Sequence, residues 1–228
     1  MNIVLILAGG VGKRSGESIP KQFIRINNKP LIIYTLEKFE INNNIDYICI
    51  SCHKDWKHQL ENYLNEFNIK KVKSIIDGGS TGLESAYKGI IEINKFASLD
   101  SLVLIHDAVR PFIDQDSIND NIRVAKEHGL AMCSTQLVET LAYSEDGTYA
   151  DKVVSRDKLN RILTPQTFKL SILNDLYLSE DVLKSNEPST FSLYMSKGLP
   201  IYLSKGNDKN IKITYPEDIS YFKSFFNN

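Results

Sequence analysis

The segment that best indicates the fold of this chain is Leu7-Ala8-Gly9-Gly10-Val11-Gly12-Lys13-Arg14-Ser15-Gly16, which is rich in glycine and contains two adjacent cations. The segment continues an aliphatic run, Ile3–Ala8, which is typical of a parallel strand buried on both faces. Glycines let backbone amides approach a polyanion, and open α/β sheets bind ligands in the loops that leave the carboxyl ends of their strands. The segment therefore predicts a phosphate-binding loop on an α/β sheet.

This loop fits neither of two common nucleotide motifs. Counting from Gly10 and Gly12, the dinucleotide fingerprint needs a third glycine where Ser15 stands. The P-loop needs Ser or Thr after Gly-Lys, but Gly12-Lys13 is followed by Arg14. An NAD-dependent reductase, which would also use a glycine loop on such a sheet, is disfavoured by the missing glycine and by the cluster of cations.

Strand and helix patterns alternate along most of the chain. Further strands are predicted at Ile45–Ser51, Val72–Ile76, Leu102–Ile105, Leu130–Ser134 and near Ile201–Leu203. Helices are predicted at Pro30–Phe39, Trp56–Phe67, Leu83–Ile93, Ser117–Glu127 and after Pro216. This alternation predicts the α/β class, with an open, mostly parallel, Rossmann-like sheet covered by helices on both faces.

The alternation breaks after Leu137. Two strand patterns, Val138–Tyr143 and Tyr149–Ser155, flank the turn-forming segment Ser144–Thr148, which is a hairpin signal. We therefore predict a single domain, 1–228, from which a β-hairpin arm projects at about 138–155.

Composition limits the partners of the chain. The 228 residues carry a net charge of −1, so no general basic field predicts nucleic-acid binding. No segment approaches the roughly 20 apolar residues of a membrane span, and the short apolar N-terminus is better explained as a strand than as a signal peptide. We expect a cytoplasmic protein without a membrane partner.

Cys49 and Cys52 have the spacing of a redox motif or half a zinc site. They lie in a predicted strand and its exit, where residues three apart face opposite sides of the sheet. No second cysteine pair completes a zinc site, so we interpret both as small apolar residues.

Further motifs follow the glycine loop in order. They are Pro20-Lys21-Gln22-Phe23, Asp77-Gly78-Gly79 with Ser85, His106-Asp107-Ala108-Val109-Arg110-Pro111-Phe112, Thr140, Arg156, Thr164-Pro165-Gln166 and Asn210-Ile211-Lys212-Ile213-Thr214. The set resembles the cytidylyltransferase family that includes the methylerythritol-phosphate and ribitol-5-phosphate enzymes, over essentially the whole chain. The resemblance implies a nucleotidyltransferase that joins CTP to a small polyol phosphate and releases pyrophosphate. It also implies a Mg²⁺ cofactor and a homodimer that exchanges its arms.

The resemblance implies roles for residues at the matching positions. The catalytic cations would be Arg14, Lys21, Arg156 and Lys212. The nucleotide would be bound by Leu7, Ala8, Gly9, Gly10, Gly12, Gly79, Ser80, Ser85, Asp107 and Ala108. The acceptor would be bound by Arg110 and, from the arm of the neighbouring subunit, by Thr140 and Arg156. Asp107 is the carboxylate expected to contact the metal.

Taken singly, several of these residues have ordinary interpretations. Asp107 could equally be a turn residue, while Lys212 and Arg156 could be solvated surface charges. His106 is interpreted as structural, because an ionised phosphate nucleophile needs no general base. A catalytically inactive binding or scaffold protein on this fold is the other alternative, and the presence of Arg14, Lys21 and Lys212 argues against it.

The chain departs from the family at two places. Gly82 stands where relatives usually carry arginine, and Pro188-Ser189 replaces a Thr-Asp pair. Ala8-Gly9-Gly10 and the segment 106–110 favour the ribitol-phosphate branch, which would make a cell wall or capsule precursor. The methylerythritol-phosphate branch of isoprenoid synthesis stays open as the alternative.

Overall fold

The computed structural model describes residues 1–10, 19–178, 185 and 187–225. In the first half of the chain, the strands and α-helices are β1 (Asn2–Ala8), β2 (Arg25–Ile26), β3 (Lys29–Pro30), α1 (Leu31–Glu40), β4 (Tyr47–Cys52), α2 (Lys57–Glu66), β5 (Val72–Asp77), α3 (Gly82–Asn94) and β6 (Leu102–Asp107). They continue with α4 (Gln115–His128), β7 (Leu130–Gln136), β8 (Leu141–Tyr143), β9 (Lys152–Val154), β10 (Asn160–Lys169), α5 (Leu170–Leu178), α6 (Thr190–Ser196), β11 (Leu203–Lys205) and α7 (Pro216–Ser224).

One sheet organises the described part of the chain. Its strands lie in the order β11-β7-β10-β6-β1-β4-β5. Neighbouring strands are parallel except where β10 pairs with β6 and β7. The predicted open, mostly parallel α/β sheet is confirmed.

The antiparallel strand β10 is absent from the sequence-based prediction. Pro165 stands within it, and a proline cannot donate to a strand ladder, so a run containing proline does not indicate an inner strand. The ladder between β10 and β7 shifts register between Ile162 and Gln166. Pro165 therefore lies at an irregularity that interrupts the regular pairing.

The strand β1 is buried on both faces, as its aliphatic run predicts. Val4 and Ile6 pack in the core that α1, α2 and α4 cover, while Ile3 and Leu5 pack in the core that α3, α5 and α6 cover. None of the helices in the described residues is both long and apolar enough to cross a membrane.

The two cysteines of β4 belong to opposite cores. Cys49 packs beneath α3 and Cys52 packs on the α1 side, so the predicted opposite orientation is confirmed. Burial raises the pKa of the Cys52 thiol to about 12. Both residues are therefore buried apolar groups.

The predicted arm is present, with shorter strands than expected. The strands β8 and β9 form a separate two-stranded sheet in which Leu141 lies opposite Val154. The arm connects β7 to its sheet neighbour β10, where Gln136 pairs with Asn160. Val153 on this arm is 72% exposed, so its apolar surface has no cover within the described chain.

Candidate functional site

The carboxyl ends of β1, β5 and β6 meet at one edge of the sheet. Leu7 of β1 lies opposite Asp107 of β6. The strand order reverses here, because the sheet grows from β1 through β4 to β5 and then resumes with β6 on the other side of β1. Open α/β sheets bind ligands at such a switch point. A cleft of about 410 Å³ opens at this position.

Most of the predicted site residues come together around this cleft. Those that line it are Leu7, Ala8, Gly9, Gly10, Lys21, Gly79, Ser80, Ser85, Asp107, Ala108 and Lys212. It is also lined by residues to which the sequence analysis gave no role: Gln22, Thr81, Gly82 and Val109. The predicted Gly12 and Arg14 lie outside the described residues.

Asp107 accepts hydrogen bonds from two cations. Lys212 Nζ lies 2.9 Å from Asp107 Oδ1, and Arg110 Nε lies 2.8 Å from Oδ2. Burial alone would raise the pKa of this carboxyl, but the charges of Lys212 and Arg110 outweigh burial and lower its pKa to about 2. Asp107 is therefore ionised at neutral pH.

The loop that carries Lys212 is fixed to the end of β6. Arg110 Nη1 donates to the carbonyl of Asn210 at 2.9 Å, and the Ile213 amide donates to the Val109 carbonyl at 3.0 Å. The Lys212 side chain keeps 45% of its surface exposed. The fold thus presents this ammonium to the cleft on a restrained backbone.

The segment before α3 is shaped by the hydroxyl group of Ser85. Its Oγ accepts from the Gly79 amide at 2.9 Å and donates to the Thr81 carbonyl at 2.8 Å. Thr81 caps the helix, since its Oγ1 accepts from the Glu84 amide at 3.1 Å. Ser85 therefore holds the backbone of the cleft wall in addition to any contact with a ligand.

Glu84 holds the other end of the same wall. Its Oε2 accepts from the Ser80 amide at 2.6 Å and from the Ser80 hydroxyl at 2.7 Å. These hydrogen bonds, together with the one from Lys88, lower the pKa of Glu84 to about 2. A Cβ atom at Gly79 would lie 2.4 Å from Glu84 Cβ, so this wall requires glycine there.

Two glycines allow the backbones of β1 and β5 to approach each other at the cleft. A Cβ atom at Gly78 would lie 2.9 Å from Gly9 Cα, and one at Gly9 would lie 3.0 Å from Ser85 Oγ. Real Cβ atoms do not approach backbone as closely as 2.9 Å, so Gly78 is required by close approach, and a side chain at Gly9 would crowd the Ser85 hydroxyl group.

Gln22 is a cleft residue that the sequence analysis missed. It is 2% exposed, and its Nε2 donates to the carbonyls of Ala8 and Gly10, each at 2.8 Å. The sequence signal that could have identified it is its position directly after Lys21 in the motif Pro20-Lys21-Gln22-Phe23. A polar side chain buried at such a place must find partners, and here the partners belong to the glycine loop.

His106 is structural, as interpreted from the sequence. Its side chain is buried between Thr164 Oγ1, at 3.0 Å from Nδ1, and the Arg110 carbonyl, at 3.3 Å from Nε2. Burial lowers the pKa of His106 to about 4. The imidazole is neutral and does not line the cleft.

The predicted acceptor residues lie apart from the cleft lining within the described chain. Arg110 lies behind Asp107, with 12% of its side chain exposed. Arg156 follows β9 and donates to the carbonyl of Val138 at the base of the arm, where it lines a separate cavity of about 380 Å³. Thr140 is exposed just before β8. The contacts of these residues with an acceptor stay predictions.

The donor set suits a magnesium ion that arrives with a triphosphate. Asp107 is the one carboxylate among the described cleft residues. Across the described ranges, no three His, Cys, Asp or Glu side chains form a cluster that could hold a metal. Because Mg²⁺ usually binds through one or two carboxylates together with substrate phosphates and water, a single carboxylate fits the ion, which would share the Asp107 oxygens with Lys212 and Arg110.

Comparison with known proteins assigns the family. The sequence profile described as IspD, 2-C-methyl-D-erythritol 4-phosphate cytidylyltransferase, matches residues 2–227. The chain belongs to this cytidylyltransferase family. It is therefore a nucleotidyltransferase, and the family resemblance read from the motifs is confirmed.

Relatives of this cytidylyltransferase carry two different names. A ribitol-5-phosphate cytidylyltransferase of Vibrio parahaemolyticus serotype O3:K6 is 41% identical over 98% of this chain and 95% of the relative. A 2-C-methyl-D-erythritol 4-phosphate cytidylyltransferase of Clostridium botulinum strain Langeland is 36% identical over 96% of this chain and 94% of the relative. The crystal structure of the Francisella tularensis 2-C-methyl-D-erythritol 4-phosphate cytidylyltransferase is similar with a TM-score of 0.76, at 29% identity over 98% of each chain.

Proposed function

We propose that the chain transfers CMP from CTP to ribitol 5-phosphate, forming CDP-ribitol and pyrophosphate. Relatives named for this activity are 36–41% identical over nearly the whole chain, and a relative from Clostridium botulinum that is named for methylerythritol phosphate is 36% identical. The small residues of Ala8-Gly9-Gly10 favour the same branch. The alternative acceptor is 2-C-methyl-D-erythritol 4-phosphate.

The observation that carries this proposal is the convergence of the glycine loop, two lysines and one ionised carboxylate at the switch point. In the proposed reaction, an oxygen of the acceptor phosphate forms a bond to the α-phosphorus of CTP. The bond from that phosphorus to the bridging oxygen breaks, and its electron pair leaves with pyrophosphate. The acceptor oxygen is already ionised, so no general base is required.

The chain contributes positioned positive charge to this reaction. Lys21 and Lys212 line the cleft, where they neutralise the phosphates and the charge that grows on the departing pyrophosphate. Arg14, by its motif, has the same role. Asp107 would hold Mg²⁺, which supplies further neutralisation of the triphosphate when it is bound.

The nucleotide and the acceptor are bound by different parts of the chain in this proposal. Leu7–Gly10 and Gly79–Thr81 form the two walls that receive CTP. Thr140 and Arg156 bind the acceptor phosphate from the arm of the second subunit in a cytoplasmic homodimer. The exposed apolar surface of the arm, including Val153, supports that assembly.

The test is pyrophosphate release from CTP with ribitol 5-phosphate, 2-C-methyl-D-erythritol 4-phosphate and glycerol 3-phosphate in parallel. We expect the highest kcat/KM with ribitol 5-phosphate. A higher kcat/KM with 2-C-methyl-D-erythritol 4-phosphate would select the alternative acceptor. The absence of pyrophosphate release with both this compound and ribitol 5-phosphate would overturn the proposal.

Metal dependence is tested in the same assay. EDTA should abolish pyrophosphate release and added Mg²⁺ should restore it, whereas EDTA already saturated with Mg²⁺ should have no effect. Turnover that survives thorough chelation would overturn the role of the ion.

A further inference from the structure

Gln22 joins two parts of the cleft that are separate in sequence. Its side-chain amide donates both hydrogens, one to the Ala8 carbonyl and one to the Gly10 carbonyl, each at 2.8 Å. The preceding residue, Lys21, lines the cleft. A single buried side chain thus ties the glycine loop to the turn that carries a cleft lysine.

The turn is the fixed end of this connection. Residues Lys21–Phe23 form one 3-10 turn, closed by the Phe23 amide donating to the Pro20 carbonyl at 2.9 Å. The Phe23 ring is 1% exposed and stacks on Trp56, with centroids 4.6 Å apart and planes 8° apart. Because the turn is anchored in the core, the hydrogen bonds of Gln22 restrain Ala8 and Gly10 against it.

The restraint also fixes the direction of loop amides. In a trans peptide unit the carbonyl and the following N–H point in opposite directions. The Ala8 carbonyl accepts from Gln22 at 2.8 Å and from the His53 amide at 3.3 Å, and its direction places the Gly9 N–H away from Gln22. Backbone amides and an ammonium are the groups that bind a polyanion, and their relative position decides whether one polyphosphate can reach both.

We propose that Gln22 is a positioning residue that holds residues 8–10 and Lys21 in the arrangement that receives the triphosphate of CTP. This rests on the use of CTP proposed above. The neutral primary amide of Gln22 supplies two N–H donors, one for each of the two carbonyls. The importance of Gln22 should grow with the number of phosphates on the ligand, because its effect passes through groups that bind phosphate.

The first test replaces Gln22 by methionine, which has similar size and lacks donors. In Gln22→Met, kcat/KM for CTP should fall on the order of 10²-fold, the usual effect of a small displacement in a site. By calorimetry, affinity should be lost most for CTP, less for CDP, and not for cytidine. The control is Gln115→Met, since Gln115 Nε2 also donates to a carbonyl, that of Lys38 at 2.8 Å, outside the cleft.

A second variant tests the donors within one protein. In Gln22→Glu, the carboxylate cannot donate, while the protonated acid donates one hydrogen bond. Burial beside two carbonyl oxygens should raise the pKa of the introduced carboxyl, so activity relative to the wild type should recover as the pH is lowered from 8 to 6. This comparison remains available if Gln22→Met does not fold.

Three results would overturn the proposal: wild-type affinity of Gln22→Met for CTP, an equal loss of affinity for CTP and cytidine, or an equal loss in Gln115→Met. A wild-type protein that binds CTP but releases no pyrophosphate would refute the proposed function alone. The comparison of CTP with cytidine would still decide the role of Gln22.

Discussion

Asp107 pairs with two cations, and only Lys212 of these two lines the cleft. Arg110 instead joins Asp107 to the backbone at Asn210. The carboxylate therefore serves two purposes: it holds a lysine where a phosphate would bind, and it fixes the loop that carries this lysine.

Replacing Lys212 by alanine should lower kcat by roughly 10²–10³-fold, because one preorganised charge is lost from the transition state. The fold should persist, since the side chain is 45% exposed. The matched control is Lys209→Ala, which removes an exposed lysine from the same loop. Equal activities of the two purified variants would contradict the role of Lys212.

The lowered pKa of Asp107 predicts a contribution to stability that depends on pH. A carboxyl whose pKa is lower in the folded chain stabilises the fold above its unfolded pKa, and this contribution disappears as the pH falls to the folded value. The contribution is thus complete above about pH 4 and lost near pH 2.

The free energy of unfolding of Asp107→Asn should accordingly be below that of the wild type at pH 5, and the difference should narrow between pH 4 and pH 2. Urea unfolding at several pH values measures this difference. Asp100→Asn is the control for the loss of one charge, since the Asp100 side chain is 93% exposed. A difference that does not narrow would show that the ion pairs do not stabilise the fold.

The glycine loop and Lys21 could be predicted from residue type because it matches the chemistry of phosphate, whereas Asp107 and Lys212 were assigned through the family resemblance. Glycines and lysines after a strand indicate an anion site directly. Gln22 could not be assigned in this way, because its partners are backbone carbonyls that lie 12 and 14 residues away. Likewise, the pairing of Asp107 with Lys212 spans 105 residues and depends on the fold.

Among the secondary-structure elements, the parallel strands could be predicted because burial on both faces requires continuous aliphatic runs in the sequence. The strand β10 was not, since Pro165 interrupts its pattern. The short hairpin of β2 and β3 was also missed. Its turn uses Asn27 and Asn28 at φ values of 48° and 63°, a conformation that asparagine tolerates without any glycine to indicate it.

The packing of α3 on β1 depends on Gly89. A Cβ atom there would lie 2.4 Å from Leu5 Cδ1. Gly89→Ala should therefore lower the free energy of unfolding by about 1–3 kcal/mol, the usual cost of overpacking. The control is Gly82→Ala at the start of the same helix, where the nearest contact would be an ordinary 3.6 Å from the Pro188 carbonyl. Urea unfolding should separate the two variants, and equal stabilities would refute the close approach.

The exposed apolar surface of the arm supports the proposal that the whole molecule forms a dimer. A lone two-stranded hairpin is only marginally stable in water, yet this one exposes Val138, Tyr149 and Val153 at 70%, 71% and 72%. We therefore expect Val153→Asp to convert a dimer to a monomer in light scattering. Ile41→Asp, which changes a 66% exposed isoleucine after α1, should remain dimeric. A monomeric wild type at assay concentration would contradict the assembly.

Sharing of sites is tested by mixing two inactive variants, Lys21→Ala and Arg156→Ala. A mixed dimer with shared sites has one site that carries both changes and one that carries neither, so partial activity should return after subunit exchange. Exchange demonstrated without any recovery would show that each site is complete in one subunit.

The arm leaves and re-enters the sheet at neighbouring positions, because Gln136 at the end of β7 pairs with Asn160 at the start of β10. Changing the length or sequence between these two residues therefore leaves the ladder and the switch point in place. If the cleft binds CTP and the arm binds the acceptor phosphate, as proposed, the arm is a module that can change separately from the cleft. Substitutions and length changes can then accumulate in the arm while the residues that line the CTP cleft keep their positions.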